Sequence, residues 1–198
     1  TLSLDQVTLD PPGDDEVIVR IEAAPINPSD LGLMLGAADV GSMSATGEGA
    51  EASLSFKVAP EKLRAMATRL GKPMPVGNEG AGVVVACGRN AAHLEGKRVG
   101  AIGGGMYADY RKLSVHEVVP LPEGASSRDG AAMFVNPLTS LSFVETMRRE
   151  GHKAIVHTAA ASNLGQMLQK ICLADGIPLV NIVRSEQQAQ ILRDIGAV

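Results

Sequence analysis

The stretch AIVHTAAASNLGQMLQKICLADGIPLVNIVRS, residues 154–185, changes its hydrophobic period twice and thereby indicates the fold. Its opening AIVH and its later LVNIV are short β-branched runs, which are typical of buried strands. Between them, apolar residues recur at helical spacing over residues 163–174, and Gly176 ends the predicted helix. Another helix is expected after Ser185. Strand, helix, strand and helix together predict the opening of a doubly wound parallel sheet.

The turn TAAAS, residues 158–162, separates the first strand from its helix and is predicted to bind phosphate. Small side chains let the main chain approach a pyrophosphate, and the free N–H groups of the following helix attract an anion. In the pattern G-x-G-x-x-G the glycines would fall at Ala160, Ser162 and Gly165, and only Gly165 is a glycine. The alternative is a small-residue corner that only packs the helix against the strand.

Arg184 follows the second strand and lies 19 residues after Gly165. An acidic residue about 20 positions on would bind the ribose 2′-hydroxyl of NAD. An Arg favours the 2′-phosphate of NADP instead, because its planar guanidinium can bond a dianion at two points. The alternative is a solvent-exposed Arg near a helix start. Ser185 and Gln188 form a predicted capping box for the next helix.

The first half of the chain predicts a small β-barrel. Residues 36–55, which are rich in Gly, Ala and Ser, are expected as a flexible loop, and residues 60–70 as a short helix. A longer helix is expected over residues 131–149, with a kink at Pro137. The predicted strands cover residues 16–23, 80–87, 98–102, 108–113 and 115–119.

These elements divide the chain into two predicted domains, residues 1–125 and 126–198, with residues 36–70 as an insertion in the first. The second domain is expected to be incomplete, because two parallel strands need neighbours and cover on both faces. We therefore do not expect residues 1–198 alone to be active or to bind a dinucleotide tightly. The alternative is a two-strand appendage packed on the barrel.

Composition and charge argue against several classes of protein. A net charge of −4 and an aromatic content of 3% offer neither a basic face nor a stacking platform for nucleic acid. No apolar run approaches the roughly 18 residues of a membrane span, and no signal peptide is visible. Two widely separated cysteines, Cys87 and Cys172, suit a reducing cytoplasm.

A set of motifs, in order along the chain, resembles the medium-chain dehydrogenase/reductase superfamily. PMPVGNEGAGVV, residues 73–84, is similar to its G-x-E-G-x-G-x-V signature, and APINPSD, residues 24–30, to the form in its zinc-free quinone oxidoreductase branch. Further similar segments are GKRV (96–99), GMYADY (105–110), VPLPEG (119–124) and PLTS (137–140). The resemblance implies an α/β plus β fold: a GroES-like β-barrel domain, then the first βαβα part of a Rossmann domain.

The same resemblance implies an NADPH site and residues near the reaction. Asn27 and Thr139 would lie near the nicotinamide, with Asn27 as the candidate catalytic residue. Arg184 and Ser185 would hold the adenosine phosphate. The pyrophosphate would be held by Ala160, Ala161, Ser162, Asn163, Leu164 and Gly165.

Departures from the superfamily's motifs shape the expected chemistry. Where zinc-dependent relatives carry a Cys near N-P-S-D and a His before the Glu of G-H-E, this chain has Ala24, Pro25 and Asn27 around the first position and Asn78 at the second. No metal site is therefore expected. Without zinc to activate an alcohol, the resemblance favours hydride transfer from NADPH to a quinone or an α,β-unsaturated carbonyl.

Other features of the active site are less defined by the resemblance. Some relatives carry a Tyr shortly after N-P-x-D, but here the sequence continues with Leu31, so no proton donor is assigned. Tyr107 and Tyr110 are expected in the barrel wall. Residues 36–55 are expected as a mobile lid over the substrate cleft. The resemblance also allows a homodimer.

Two other interpretations stay open. One is a non-catalytic NADPH-binding protein of the same fold, with a structural or regulatory role. The other, less favoured, is a zinc alcohol dehydrogenase.

Overall fold

The computed structural model describes all 198 residues, which separate into two compact units, Thr1–Ala131 and Ala132–Val198. The division falls a few residues after the boundary expected from the sequence. The first unit contains β1 (Leu2–Ser3), β2 (Glu16–Ala23), α1 (Pro28–Leu35), β3 (Ala38–Thr46), β4 (Ser53–Val58), α2 (Pro60–Ala65), β5 (Glu79–Cys87), β6 (Arg98–Ile102), β7 (Tyr110–Ser114), β8 (Val118–Pro120) and α3 (Ser127–Gly130). The second contains α4 (Val135–Arg149), β9 (Ile155–His157), α5 (Asn163–Asp175), β10 (Leu179–Asn181) and α6 (Glu186–Arg193).

Five strands of the first unit form one antiparallel sheet in the order β7-β2-β5-β6-β8. Alternate side chains of β2 face the core, where Val17 and Val19 are fully buried. They pack in one cluster with Val84, Val99 and Leu113 from neighbouring strands. The strand predicted at residues 16–23 is confirmed, and those at 80–87, 98–102 and 108–113 are confirmed to within two residues.

The sheet is open rather than a closed barrel, because its edge strands β7 and β8 do not pair with each other. The strand predicted at residues 115–119 is also largely wrong, since Val115–Glu117 form a single 3₁₀ turn. Two hydrogen bonds cap this turn: the Ser114 amide donates to Glu117 Oε2 at 2.8 Å, and the His116 amide donates to Ser114 Oγ at 3.3 Å. These local bonds compete with a strand ladder and leave only Val118–Pro120 to form β8.

The flexible loop predicted at residues 36–55 is wrong, because β3 and β4 pair there as an antiparallel hairpin that β1 extends. A register shift between Asp39 and Ser44 interrupts the pairing. Ser42 fills it, since its hydroxyl donates to Asp39 O at 2.6 Å and accepts the Lys57 amide at 2.8 Å. Main-chain pairing and one serine thus order a segment whose side chains have weak strand propensity. The expectation of a mobile lid at residues 36–55 rested on a flexible loop, and the structure has a hairpin there instead.

The helix predicted at residues 60–70 is correct only in its first half, since α2 ends at Ala65. Its apolar residues Leu63 and Leu70 are 36% and 51% exposed. A short helix without a buried face has little to extend it, because most helical stability comes from tertiary packing.

In the second unit, β9 and β10 pair in parallel with α5 between them in sequence, which confirms the predicted strand–helix–strand–helix order. A core of Val144, Ile155, Leu168 and Cys172 joins α4, β9 and α5. Gly176 ends α5 in the left-handed region at φ 64°.

The helix predicted over residues 131–149 is confirmed from Val135 onward, since α4 is continuous from Val135 to Arg149, but the predicted kink at Pro137 is wrong. Pro137 therefore falls in the first turn, where a backbone N–H has no intrahelical acceptor and its loss costs nothing.

Candidate cofactor site and its surroundings

The turn between β9 and α5 presents main chain rather than side chains. Ser162 caps α5, since its Oγ accepts the Gly165 amide at 3.1 Å. Its own amide donates to Ala159 O at 3.0 Å and closes the turn. The Asn163 and Leu164 amides are first-turn donors that the helix itself leaves unpaired. Together with the positive end of the helix dipole, they favour an anion at this turn.

Gly165 serves packing and not ligand approach. A Cβ atom built on it would lie 2.2 Å from Ala160 O and 2.8 Å from Ala159 O. The first turn of α5 therefore lies against the preceding turn at a distance that only glycine allows. This is the role of the third glycine in a dinucleotide-binding turn. Ala160 is buried beneath the contact, whereas Ser162 is exposed.

A cavity of about 280 Å³ joins this turn to the end of β10. Arg184 lies at its border, is exposed to solvent, and makes no ion pair with any carboxylate. Of the residues expected at the cofactor, Ala160, Ala161, Ser162 and Arg184 line this cavity, while Asn163, Leu164, Gly165, Ser185 and Thr139 do not. The other lining residues are Thr158, Ala159, Ile182 and Gln188.

Gln188 is a lining residue that the sequence showed only as half of a capping box. Ser185 Oγ accepts the Gln188 amide at 3.3 Å, as predicted. The Gln188 side chain, however, accepts from the Arg184 amide at 2.9 Å rather than from Ser185. It thereby fixes the backbone that carries the Arg184 guanidinium.

Beneath the turn lies a polar layer that the hydrophobic pattern did not show. His157 and Asn181 are register partners on β9 and β10, and Asn181 Nδ2 donates to Gln169 Oε1 at 2.7 Å. His157 is 8% exposed, and its Nδ1 has no hydrogen-bond partner, nor does Asn181 Oδ1. The Phe143 ring meets the His157 imidazole edge-on, with centroids 5.6 Å apart. Burial lowers the pKa of His157, so the ring is neutral at pH 7.

Thr139 lies on the first turns of α4, where its Oγ1 donates to Val135 O at 2.6 Å. The neighbouring Ser140 is fully buried, and its hydroxyl is shared between Asn136 O at 2.9 Å and Leu164 O at 3.1 Å. Ser140 therefore fastens α4 to the first turn of α5. The PLTS motif thus supplies a structural serine as well as the predicted Thr139.

In the first unit, Asn27 belongs to a buried polar cluster at the start of α1. Its Nδ2 donates to Glu79 Oε1 at 3.0 Å, and Asn27 and Glu79 are 4% and 0% exposed. Asp30 is 1% exposed, and its two oxygens accept the amides of Asn27 at 2.8 Å and Asn78 at 3.0 Å. Asn78 Nδ2 donates to Ser29 Oγ at 2.9 Å. The cluster joins the N-P-S-D segment to the G-N-E segment, far apart in sequence.

No three His, Cys, Asp or Glu side chains are grouped so as to hold a metal ion. The side-chain amides of Asn27 and Asn78 donate to Glu79 and Ser29. Both cysteines are free thiols, and burial followed by the charge of Asp175 raises the pKa of Cys172. None of the helices is sufficiently long and apolar to span a membrane.

Comparison with known proteins gives one family match that covers more than half of the chain. Residues 13–123 match the model of the alcohol dehydrogenase GroES-like domain. Over 206 residues the chain is 30% identical to the mitochondrial enoyl-[acyl-carrier-protein] reductase of Xenopus tropicalis, covering 99% of this chain and 50% of that protein. It is 31% identical over 131 residues to the quinone oxidoreductase of Pseudomonas aeruginosa, covering 64% of this chain and 40% of that one.

Solved structures give the same result for the fold. A Mesorhizobium loti protein assigned as an NADPH:quinone reductase superposes with a TM-score of 0.69 at 31% identity, over 95% of this chain and 48% of that one. The quinone oxidoreductase of Escherichia coli, solved with NADPH, shares the fold with a TM-score of 0.68 at 22% identity. The chain thus spans about half the length of these relatives.

Proposed function

This chain belongs to the alcohol dehydrogenase GroES-like domain family, and we propose that the protein transfers hydride from NADPH to a quinone or an α,β-unsaturated carbonyl without zinc. The observation that carries the proposal is the cavity in which the small-residue turn at 158–162 meets Arg184. One wall is the main chain of this turn, which leads into the unpaired first-turn amides of α5, and the other offers a guanidinium for a second anionic group.

The residues present fit an NADP-type dinucleotide. Ala160 and Ala161 line the cavity with small side chains, and Ser162 caps the helix whose N–H groups would face the pyrophosphate. Arg184 has no competing carboxylate, so its guanidinium is available to a 2′-phosphate. When bound, the dinucleotide supplies the hydride. The protein supplies binding, orientation and the surrounding charges.

An electron-poor acceptor fits this chain better than an alcohol. Alcohol oxidation needs a Lewis acid or a base to lower the pKa of the hydroxyl, and asparagine amides at positions 27 and 78 are poor zinc ligands. A quinone or a conjugated carbonyl accepts hydride without that help. The names of the relatives, a quinone oxidoreductase and an enoyl reductase, agree with such acceptors. A cytoplasmic location and a homodimer stay predictions.

The test is the cofactor preference of the Arg184→Ala variant of the full-length protein. NADPH affinity should fall by about ten- to a hundredfold, the cost of a lost charge-assisted pair, and NADH affinity should hardly change. Calorimetric titration of each cofactor measures both. Arg193→Ala is the matched control, because Arg193 pairs with Glu186 on α6 and does not line the cavity.

Equal losses for the two cofactors would remove Arg184 from the 2′-phosphate role. Turnover is assayed on the same preparation with a quinone, a conjugated aldehyde and a primary alcohol, alongside zinc analysis. Binding of NADPH without any turnover would favour the non-catalytic alternative, and stoichiometric zinc with alcohol oxidation the zinc enzyme.

A further inference from the structure

Tyr107 does not lie in the sheet, in contrast to Tyr110, which begins β7 as expected. It lies in the loop between β6 and β7 and reaches back to the A-P-I-N-P-S-D segment. Its hydroxyl donates to Pro25 O at 3.0 Å. Its ring lies over Gly77, where a Cβ atom would come within 2.6 Å of Tyr107 Cδ1 and where φ is +94°. Gly77 therefore leaves the space that the ring fills.

Tyr107 is the group beside this segment that can give up a proton to a small molecule. Asp30 and Glu79 are buried to 1% and 0% exposure, so a ligand cannot reach their side chains. The amides of Asn27 and Asn78 are not acids. Tyr107 has an O–H group and is 36% exposed, so a ligand that lies against the Pro25–Asn27 backbone could reach it.

The surroundings keep this proton on the phenol at neutral pH. Burial, and then the negative charge of Asp30, raise the pKa of Tyr107. A phenol of this kind is a weak acid towards water. It still protonates a carbon-centred enolate, which is the stronger base.

We propose that Tyr107 is the proton donor in the reduction of an α,β-unsaturated carbonyl; the inference rests on the proposed function. Hydride, with its electron pair, adds to the β-carbon of the substrate, the C=C π bond breaks, and an enolate forms while the nicotinamide is oxidised. The α-carbon then takes the proton from Tyr107 Oη. The resulting phenolate is reprotonated by solvent, to which the side chain is partly open.

Reduction of a quinone does not need Tyr107 as a proton donor. Hydride addition to a quinone yields a hydroquinone anion, whose charge lies on oxygen and which water protonates directly. Tyr107 should therefore matter for a conjugated carbonyl and hardly at all for a quinone. Damage to the fold would lower both rates together, so the ratio of the two rates separates a proton donor from a structural tyrosine.

The experiment compares Tyr107→Phe with the wild-type full-length protein, using crotonaldehyde and phenanthrenequinone as acceptors. Loss of a general acid should lower kcat for crotonaldehyde by about 10²–10⁴-fold. The rate with phenanthrenequinone and the NADPH affinity should change by less than about threefold. Tyr110→Phe is the matched control, since Tyr110 is 48% exposed and lies in β7 rather than against the A-P-I-N-P-S-D segment; it should leave both rates unchanged.

Equal losses with the two acceptors would make Tyr107 a structural residue, and unchanged crotonaldehyde reduction would remove it from the reaction. Either outcome overturns this inference and leaves the proposed function standing. A wild-type protein that reduces neither acceptor would overturn both.

Discussion

The turn before α5 and the cluster at the start of α1 are built by opposite means. The turn, residues 158–165, depends on close main-chain packing and on the absence of a side chain at Gly165, where a Cβ atom would lie 2.2 Å from Ala160 O. The cluster is made of buried polar side chains, with Asp30 and Glu79 each accepting hydrogen bonds across the fold. Adding a side-chain atom should therefore destabilise the turn, whereas removing a polar side chain should destabilise the cluster.

The largest effect is expected from Asp30→Ala. Both carboxylate oxygens accept a backbone amide, from Asn27 and from Asn78, and the variant leaves both donors without their partner. Each unsatisfied buried group costs about 1–3 kcal/mol, so the free energy of unfolding should fall by roughly 2–6 kcal/mol. Urea unfolding measures the loss, and amide hydrogen exchange of β2 and β5 assigns it to the first unit.

Asp39→Ala is the control for this variant. Asp39 also accepts a backbone amide, that of Gly41 at 3.1 Å, but at an exposed site in the hairpin, so the change should stay within about 0.5 kcal/mol. Asp30→Asn keeps one acceptor and should fall between the two. If Asp30→Ala costs no more than Asp39→Ala, water replaces the carboxylate and the cluster does not join the two segments.

The opposite experiment is Gly165→Ala, which adds a methyl group where the main chain leaves no room. Its Cβ would lie 2.2 Å from Ala160 O, so α5 or the turn must shift. Overpacking of this kind costs roughly 1–3 kcal/mol, and NADPH affinity should fall with it because the amides proposed to bind the anion move. Thermal unfolding with and without NADPH measures both effects.

Gly32→Ala adds the same methyl group in α1 at a site where no atom lies within 4 Å of the new Cβ. It should raise stability, by up to about 1 kcal/mol, because alanine is the better helix former. If Gly165→Ala also leaves the free energy of unfolding unchanged or raises it, the close packing of α5 on the turn does not contribute to stability.

The sequence predicted the elements whose local pattern and tertiary packing agree. Residues 16–23 alternate buried and exposed positions and form β2 as expected, and the β9–α5–β10 order followed from the change of period. The hairpin of residues 38–58 could not be predicted from propensity, because its strands are rich in Ser, Gly and Ala and are held by backbone pairing and by Ser42.

The sequence marked some of the residues that line the cavity and, for the same reason, missed the others. Small residues before a helix marked the turn, and spacing marked Arg184. The supporting contacts were not visible: Gln188 holds the Arg184 amide, Ser140 fastens α4 to α5, and Asp30 joins two distant segments. A polar residue in a sequence shows its chemistry but not its partner, and each of these roles depends on the partner.

The smallest effect is expected from a change of pH, which should act on stability through His157 in the polar layer under the turn and not through the apolar core beside it. Burial lowers the folded-state pKa of His157, so the unfolded chain binds the proton first. Above pH of about 6.5 both states are neutral and His157 adds no pH dependence. As pH falls below that value the unfolded state is favoured, and stability decreases by at most about 1.4 kcal/mol per pH unit until the folded-state pKa is passed.

Unfolding at pH 7.5 and pH 5.5 should therefore show a loss of stability at the lower pH. The variant His157→Gln should remove this loss, and His152→Gln, at an exposed site paired with Glu150, should leave it in place. An equal slope in all three proteins would mean that the unpaired Nδ1 of His157 finds a partner on protonation, with Asn181 Oδ1, its unsatisfied register partner, as the acceptor.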